Sequence, residues 1–166
     1  PGYKFLLLNK FKYIARMDND IVLLRETLHN LTKRLEINDT IVGISPKILH
    51  GYKKKYVWYR GTTVGNNLKF QKNCADYNGL HLDKKEFKGL INSDAVCGCA
   101  SLMKSSALKK AGLSDPDFFY GEEDIELSYR LKKTKGKIVV DLDQKIYHAV
   151  SHTVGSNWAK NIYYNY

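Results

Sequence analysis

The sequence predicts an α/β fold, in which a mostly parallel sheet is flanked by helices and a small antiparallel hairpin region lies near the middle. Two observations lead to this prediction. Between residues 13 and 49, strand-like apolar segments stand on either side of a helix-like segment, and this order implies a right-handed crossover onto a parallel sheet. Residues 51–72 change to short aromatic and polar pieces with nearby turn formers, which favours a hairpin.

Length and composition indicate one globular domain that attracts anionic partners. The 166 residues are enough to bury one hydrophobic core, so we expect a single domain over 1–166. The apolar fraction of 43% and the charged fraction of 27% argue against a disordered or fibrous chain. The net charge of +10 indicates attraction to nucleic acid, to a membrane surface or to phosphorylated substrates, and charge alone does not choose among them.

The three cysteines form no complete zinc motif. Cys97 and Cys99 make a C-x-C pair without the second pair that such a site needs, and Cys74 stands apart from them. We interpret all three as buried free thiols in a reducing compartment.

The first predicted strand, Tyr13–Met17, delivers two carboxylates to its own end. Asp18 and Asp20 follow it and stand one residue apart. Ligands of open α/β sheets bind outside the carboxyl ends of the strands, and hard divalent cations take oxygen ligands. The pair therefore suits a metal ion bound to a diphosphate. Asp20 could equally cap the helix predicted after Ile21, because Asp is a common N-cap.

The next helix and strand follow from spacing and residue type. Four leucines recur at i, i+4, i+7 and i+11 from Leu24 onward, which predicts an amphipathic helix. Residues 40–49 are rich in β-branched side chains and predict a buried strand. Pro46 argues that the far end of this strand is not central and fully paired. Residues 1–12 show no clear pattern.

Residues 52–60 interleave basic and aromatic side chains. Such a segment can stack the bases of a single-stranded nucleic acid, offer an aromatic platform to a sugar ring, or form an exposed hairpin. Glycines and asparagines within 61–67 favour the hairpin. Residues 73–89 have many turn formers and predict a loop.

Small residues mark a further strand and a short helix. Residues 96–100 are apolar with small side chains, which is typical of a strand that another backbone or a ligand approaches closely. Ser105 or Ser106 is placed to cap a helix over 107–110, and Gly112 is placed to end it.

A second acidic cluster opens a helix predicted from Glu123 onward. Acidic residues in the first turn complement the helix dipole, but three consecutive carboxylates at 122–124 exceed what that requires. Like charges held this close are one means of tuning a carboxylate for general base work. The cluster is therefore a candidate site for activating a hydroxyl.

A strand-borne histidine follows this helix. Residues 137–140 predict a strand, 141–144 a turn, and 145–150 a second strand that carries His148. A single histidine at a strand end is more often structural than a ligand, although neutral imidazole is a common metal ligand. The aromatic residues 158–166 predict a helix.

Five segments stand in a specific order between residues 13 and 155: ARMDNDIV, GISPKI, CGCASLMKSSALKKAG, DPDFFYGEEDIELSYRLKKTKGKIVV and YHAVSHTVG. Together they resemble glycosyltransferase family two, particularly its bacterial rhamnosyltransferase-like members that build surface polysaccharides. The resemblance implies a GT-A fold. It also implies that 1–166 is the C-terminal two-thirds of a GT-A domain, with the N-terminal nucleotide-binding half missing.

The resemblance implies roles for individual residues. Asp20 would be the direct metal ligand, Asp18 would face a ribose or a metal-bound water, and His148 would be a further metal ligand. Asp124 would be the catalytic base, with Glu123 beside it. The donor sugar would be lined by three residues between positions 98 and 101: Gly98, Ala100 and Ser101.

The implied activity is an inverting sugar transfer assisted by Mn²⁺ or Mg²⁺. The donor would be a nucleoside-diphosphate sugar, and the acceptor a saccharide or a polyprenyl-diphosphate-linked saccharide that enters beside residues 119–121. The family and the positive charge together are compatible with a cytoplasmic protein in peripheral contact with the inner face of the membrane. No nucleic acid partner is expected from the resemblance.

Two other functions stay open at this point. A non-catalytic basic binding module for anionic glycan or nucleic acid would use the basic residues of 53–60 and show salt-dependent affinity. A nucleotidyltransferase would need a glycine-rich loop to hold a triphosphate, and the sequence contains none.

Overall fold

The computed structural model describes residues 2–51, 55–64, 70–72, 81–115, 118 and 123–149. The helices in this part of the chain are α1 (Gly2–Leu8), α2 (Thr27–Ile37), α3 (Ser105–Ala111) and α4 (Glu123–Lys133). The strands are β1 (Tyr13–Met17), β2 (Ile21–Leu23), β3 (Ile41–His50), β4 (Tyr56–Tyr59), β5 (Thr62–Val64), β6 (Phe70–Lys72), β7 (His81–Leu82), β8 (Leu90–Ser93), β9 (Ala100–Lys104) and β10 (Lys137–His148).

The main sheet is mixed, so the prediction of a mostly parallel sheet is wrong. Its central order is β1-β9-β3-β10-β2, with β4, β7 and β8 attached beside it. Among the described strands only β3 and β10 pair in parallel, and every other pair is antiparallel. The crossover from β1 through α2 to β3 does exist, but β9 lies between these two strands and runs antiparallel to both. The separate β5–β6 ladder is a small antiparallel hairpin region, as predicted. The exposed hairpin favoured for residues 52–60 is wrong for residues 56–59, which form β4 of the main sheet with Val57 and Tyr59 buried.

Strand β3 is the centre of the sheet along its whole length. Nine of its ten residues are buried, and it pairs with β10 from Ile41 to His50. The expectation that Pro46 marks a poorly paired end is therefore wrong. Pro46 is tolerated because it lies between the β9 and β4 contacts on one edge and beside a bulge of β10 on the other.

Residues 96–100 do not form the strand that was predicted. Strand β8 ends at Ser93 and β9 begins at Ala100, so 94–99 is the connection between them. Two of its backbone N–H groups are held by side chains rather than by a neighbouring strand: Val96 donates to Ser128 Oγ and Cys97 donates to Ser45 Oγ. Local composition resembles a strand here, but distant side chains fix a turn.

Other boundaries differ by smaller amounts. Residues 2–8 form α1, where no pattern was clear, and β10 is one bulged strand rather than two strands and a turn. Helix α3 begins at Ser105, with Lys104 in the N-cap position. Gly112 ends α3 as predicted: its φ is 87° and its N–H donates to Leu108 O at 2.9 Å. The helix predicted at 158–166 lies outside the described residues.

Helices cover both faces of the sheet. Alternate residues of a strand point to opposite faces, and the core divides accordingly. Leu31 and Leu35 of α2 pack in a cluster with Ile41, Ile44, Leu102 and Val139. Helices α3 and α4 pack in a second cluster with the neighbouring strand positions Val42, Met103 and Ile138. None of the helices in the described part of the chain has the length and apolar character needed to cross a bilayer.

Candidate active site

The two aspartates of the Asp-x-Asp segment lie in the short connection between β1 and β2. Helix α2 begins only at Thr27, with Glu26 as its N-cap residue, so the alternative in which Asp20 caps this helix is wrong. Strand β2 instead follows Asp20 at once. The sequence shows apolar residues at 21–23, but it gave no sign that they pair with the last strand.

That pairing brings Asp20 against His148. Ile21 of β2 is opposite His148 at the end of β10, and the Ala149 N–H donates to Asp20 O at 3.0 Å. As a result Asp20 Oδ1 lies 3.1 Å from His148 Nε2. His148 is only 7% exposed, and the ring of Trp58 meets its imidazole edge-on with centroids 4.6 Å apart.

The turn before β9 supplies the other wall of this site. Met17 is opposite Ala100, and the Asp18 N–H donates to Cys99 O at 2.9 Å. Asp18, Cys99 and His148 each present one possible ligand atom, and the three atoms lie within 4.8 Å of one another. His148 Nδ1 is buried and has no hydrogen-bond partner among the described residues. A carboxylate, a thiol and an imidazole are all groups that bind metal ions, so the residues present fit a bound metal.

A hydrogen bond connects the first turn of α4 to the 94–99 connection before β9. Asp124 Oδ2 accepts a hydrogen bond from the Gly98 N–H at 2.9 Å, and its Oδ1 accepts one from the Ile125 N–H at 2.9 Å. Glu123 forms a hydrogen-bonded ion pair with Arg16 of β1. Glycine at 98 leaves room for this approach, because a Cβ at that position would lie only 3.0 Å from Asp124 Oδ2.

The electrostatics of the site favour a cation. Burial raises the pKa of the Asp18 carboxyl; the charges of Asp20 and Glu123 raise it further, while Arg16 and His148 lower it. Burial alone would lower the pKa of the Arg16 guanidinium, but the hydrogen bond and charge of Glu123 outweigh it and raise that pKa. A site that collects negative charge in a partly buried place is stabilised by a bound positive ion.

The Cys99 thiol is the softest donor in the site. Its Sγ lies 3.5 Å from Cys97 Sγ, and both cysteines are buried, as expected from the sequence. The hydrogen bond to Cys97 and burial raise the pKa of the Cys99 thiol well above its ordinary range. Cys74 lies outside the described residues.

The structure brings most of the predicted site residues together. Asp18 and Asp20 both lie close to His148, and a hydrogen bond from Gly98 connects the turn beside them to Asp124 at the start of α4. Ala100 and Ser101 lie within β9 and are 0% and 1% exposed. Their contact with a donor sugar stays a prediction. Residues 119–121 lie outside the described residues, as do Lys53 and Lys54 of the basic segment.

Several residues that shape the site carry signals too weak to identify them from sequence. Arg16 is the lone charge in an apolar strand, which is the strongest of these signals. By its position in the sequence Ser128 is an ordinary helix residue, yet it donates to Asp124 O and accepts from the Val96 N–H. Cys99 was interpreted only as a buried thiol, and its place beside Asp18 depends on the turn at 94–99.

Comparison with known proteins gives a likeness in structure alone. No protein-family model matches the chain, and no curated protein matches it in sequence. The chain is similar to the crystal structure of GalNAc-T7 with UDP, GalNAc and Mn²⁺, with a TM-score of 0.63 and 15% identity. The match covers 89% of this chain and 29% of that one, so the chain spans less than a third of the neighbour's length.

A second solved structure, A197 from STIV, gives a TM-score of 0.49 at 14% identity, over 89% of this chain and 63% of that one; a likeness of this degree does not bear on the fold. GalNAc-T7 is a glycosyltransferase of the GT-A fold, and at 15% identity the likeness to it speaks for the fold only. The chain therefore has a GT-A-like α/β fold built on a mixed sheet.

Proposed function

We propose that this chain is a metal-dependent glycosyltransferase that moves a sugar from a nucleoside-diphosphate sugar to an acceptor hydroxyl. One observation carries the proposal: Asp18, Asp20 and His148 converge where β1 and β10 end, and Gly98 links this point to Asp124. The GT-A-like fold supports it, since the neighbouring structure holds UDP, GalNAc and Mn²⁺.

The chain's own residues divide into a cation site and a proton acceptor. Asp18, Asp20 and His148 would hold Mn²⁺ or Mg²⁺, which when bound supplies positive charge to a departing diphosphate. Asp124 would take the proton of the acceptor hydroxyl. Its two backbone hydrogen bonds fix the carboxylate while leaving lone pairs free.

Glu123 forms an ion pair with Arg16. Of the two neighbouring acidic residues Glu123 and Asp124, Asp124 is therefore the one that is free for proton transfer. Among the described acidic residues that open α4, a single free general base suits a single displacement with inversion. In that step the acceptor oxygen bonds to the anomeric carbon, the bond to the diphosphate breaks, and the acceptor proton moves to Asp124.

The finer assignments rest on the sequence. The motif order supports membership of the rhamnosyltransferase-like group that builds surface polysaccharides. The net charge of +10 supports an acceptor that carries a polyprenyl diphosphate, at the cytoplasmic face of the membrane.

The test is a thermal-shift panel of nucleoside diphosphates and their sugars, with and without Mn²⁺. A ligand present at 100 times its Kd stabilises the native state by about 2.7 kcal/mol, or roughly 5–10 °C for a chain of this size. We expect a Mn²⁺-dependent shift that is lost in Asp20→Asn. Asp39→Asn is the matched control, because Asp39 contacts Lys104 at the opposite end of β9.

Two outcomes would contradict the proposal. One is a shift that needs no Mn²⁺ and persists in Asp20→Asn. The other is binding only to anionic polymers, with affinity that falls steeply with salt, which is the behaviour of a basic binding module.

The base is tested separately with Asp124→Asn. Asn keeps an oxygen that can accept the Gly98 N–H but cannot take the acceptor proton. We expect transfer to fall by about 10²–10⁴-fold while Mn²⁺-dependent donor binding stays close to that of the wild type. Loss of that binding would instead place Asp124 among the residues that hold the cation.

A further inference from the structure

We propose that Cys99 is a metal ligand, and that Asp18, Cys99 and His148 together bind a thiophilic divalent cation of the Zn²⁺ and Co²⁺ class in preference to Mg²⁺. The inference goes beyond the proposed function, because it requires cation binding by this chain but no sugar transfer. It also revises the ligand set and the cation of the proposed function: Cys99 takes the place of Asp20 among the ligands, and Mg²⁺ is disfavoured.

The geometry needs only a small adjustment. The three ligand atoms lie within 4.8 Å of one another. Metal–ligand bonds of about 2.0–2.3 Å in a tetrahedral site place ligand atoms about 3.3–3.6 Å apart, so they must close by at most roughly 1.5 Å. Asp18 is the exposed member of the three, so its side chain is free to rotate toward the other two ligands.

The donor set selects the class of cation. A thiolate and an imidazole suit Zn²⁺ and Co²⁺, whereas Mg²⁺ takes oxygen ligands in near-octahedral geometry and keeps several waters. The Cys99 thiol gives up its proton to solvent when the metal binds. Three protein ligands leave a fourth position open, and the exposure of Asp18 places it on the solvent side.

The surrounding contacts hold two of the ligands in place. Asp20 Oδ1 lies 3.1 Å from His148 Nε2, and this contact holds the imidazole in place beside Asp18 and Cys99. Asp20 thus orients His148.

Cys97 is the corresponding outer partner of Cys99. The two Sγ atoms are 3.5 Å apart, so the Cys97 thiol can donate to a Cys99 thiolate. Backbone contacts keep Cys99 beside Asp18, since the Asp18 N–H donates to Cys99 O and the Cys97 N–H is held by Ser45 Oγ.

The experiment is a titration of the metal-free full chain with Co²⁺, followed by absorption. Thiolate coordination gives a near-ultraviolet charge-transfer band, and tetrahedral Co²⁺ gives intense visible bands. We expect both bands in the wild type, complete displacement by equimolar Zn²⁺, and no displacement by a hundredfold excess of Mg²⁺. The titration contains no nucleotide, so its result is independent of the thermal-shift panel for donor binding. Either experiment can succeed while the other fails.

Matched variants identify the thiol. We expect Cys99→Ser to lose the charge-transfer band and to bind Co²⁺ more weakly by at least about 10-fold, the lower end of what loss of an outer partner costs. Cys97→Ser and Cys74→Ser should keep the band. Cys99→Ala is a second variant with the same expectation, and thermal unfolding of the metal-free proteins identifies which variants fold.

Three results would overturn the inference. The first is Co²⁺ binding without a charge-transfer band. The second is a band that survives in Cys99→Ser or disappears in Cys97→Ser or Cys74→Ser. The third is a wild-type chain that binds no Co²⁺ or that exchanges it readily for Mg²⁺.

Discussion

Gly136, between α4 and β10, offers a test of the packing that supports the sheet. A Cβ at this position would lie 2.1 Å from Val42 Cγ1, 2.5 Å from Cγ2 and 2.8 Å from Cβ, against 3.4–4 Å for an ordinary contact. Val42 cannot turn away, because a β-branched side chain is stiff at χ1 and this one is buried in a cluster with Leu131 and Ile138. Gly136→Ala must therefore move the backbone.

The expected cost follows from two opposing effects. Overpacking of a close-packed core costs typically 1–3 kcal/mol, and a separation that must grow by about 1.3 Å belongs at the upper end. Replacing Gly by Ala returns roughly 0.4–1 kcal/mol by restricting the unfolded chain. We expect Gly136→Ala to lower the free energy of unfolding by about 2 kcal/mol and Tm by about 4–8 °C.

Urea unfolding followed by circular dichroism measures this, with a double-mutant cycle as the decisive control. In Val42→Ala the side chain that a Cβ at 136 would strike is gone, so the two substitutions together should cost at least about 1 kcal/mol less than their sum. Gly2→Ala, with no heavy atom within 4 Å of its Cβ, should leave stability unchanged or slightly raised. Wild-type stability in Gly136→Ala, or strictly additive costs, would refute the reasoning.

Two further predictions concern ion pairs. Asp141 is 0% exposed and accepts a hydrogen bond from Arg34 Nε at 3.1 Å. Arg34→Ala should therefore lower the free energy of unfolding by about 3 kcal/mol. This is the lower end of the range for a broken buried ion pair, because the Arg34 side chain is 42% exposed. Adding Asp141→Asn should restore much of the loss in urea unfolding; no restoration would contradict a buried-charge cost. Burial would raise the pKa of the Asp94 carboxyl, but hydrogen bonds from Lys132 and the Val64 N–H outweigh it and lower that pKa. A carboxyl pKa that is lowered on folding stabilises the fold at pH above the ordinary pKa, and this stabilisation is lost as the pH falls through the folded-state pKa. Asp94→Asn should therefore lower the free energy of unfolding by at most about 1 kcal/mol at pH 7 and leave it unchanged at strongly acid pH. A loss of stability that does not depend on pH would exclude this charge effect.

The sequence was sufficient for elements whose pattern is local. The leucine spacing of α2, the β-branched run of β3 and the glycine that ends α3 all appear in the structure. The order of strands was not accessible, because a hydrophobic pattern shows that a strand is buried without showing which strand lies beside it. The antiparallel strand β9 between β1 and β3 could therefore not be predicted, and for that reason a parallel sheet was expected where the structure has a mixed one.

The same distinction applies to the candidate site. The carboxylates at 18 and 20 and the histidine at 148 could be named from motif order, and they do lie together. Cys99 and Arg16 could not be placed, because their positions depend on contacts between residues far apart. The Cys97 N–H bond to Ser45 spans 52 residues, and the Arg16 pair with Glu123 spans 107.

Those long spans have a consequence for how the protein folds. Closing a loop of about 100 residues costs conformational entropy that is recovered only when the distant strand docks, which makes high contact order slow. Asp18 and His148 come together only when β10 joins β2, so no early folding species can hold the proposed ion. A bound metal ion should therefore slow amide hydrogen exchange along β10, because only the docked strand can hold it.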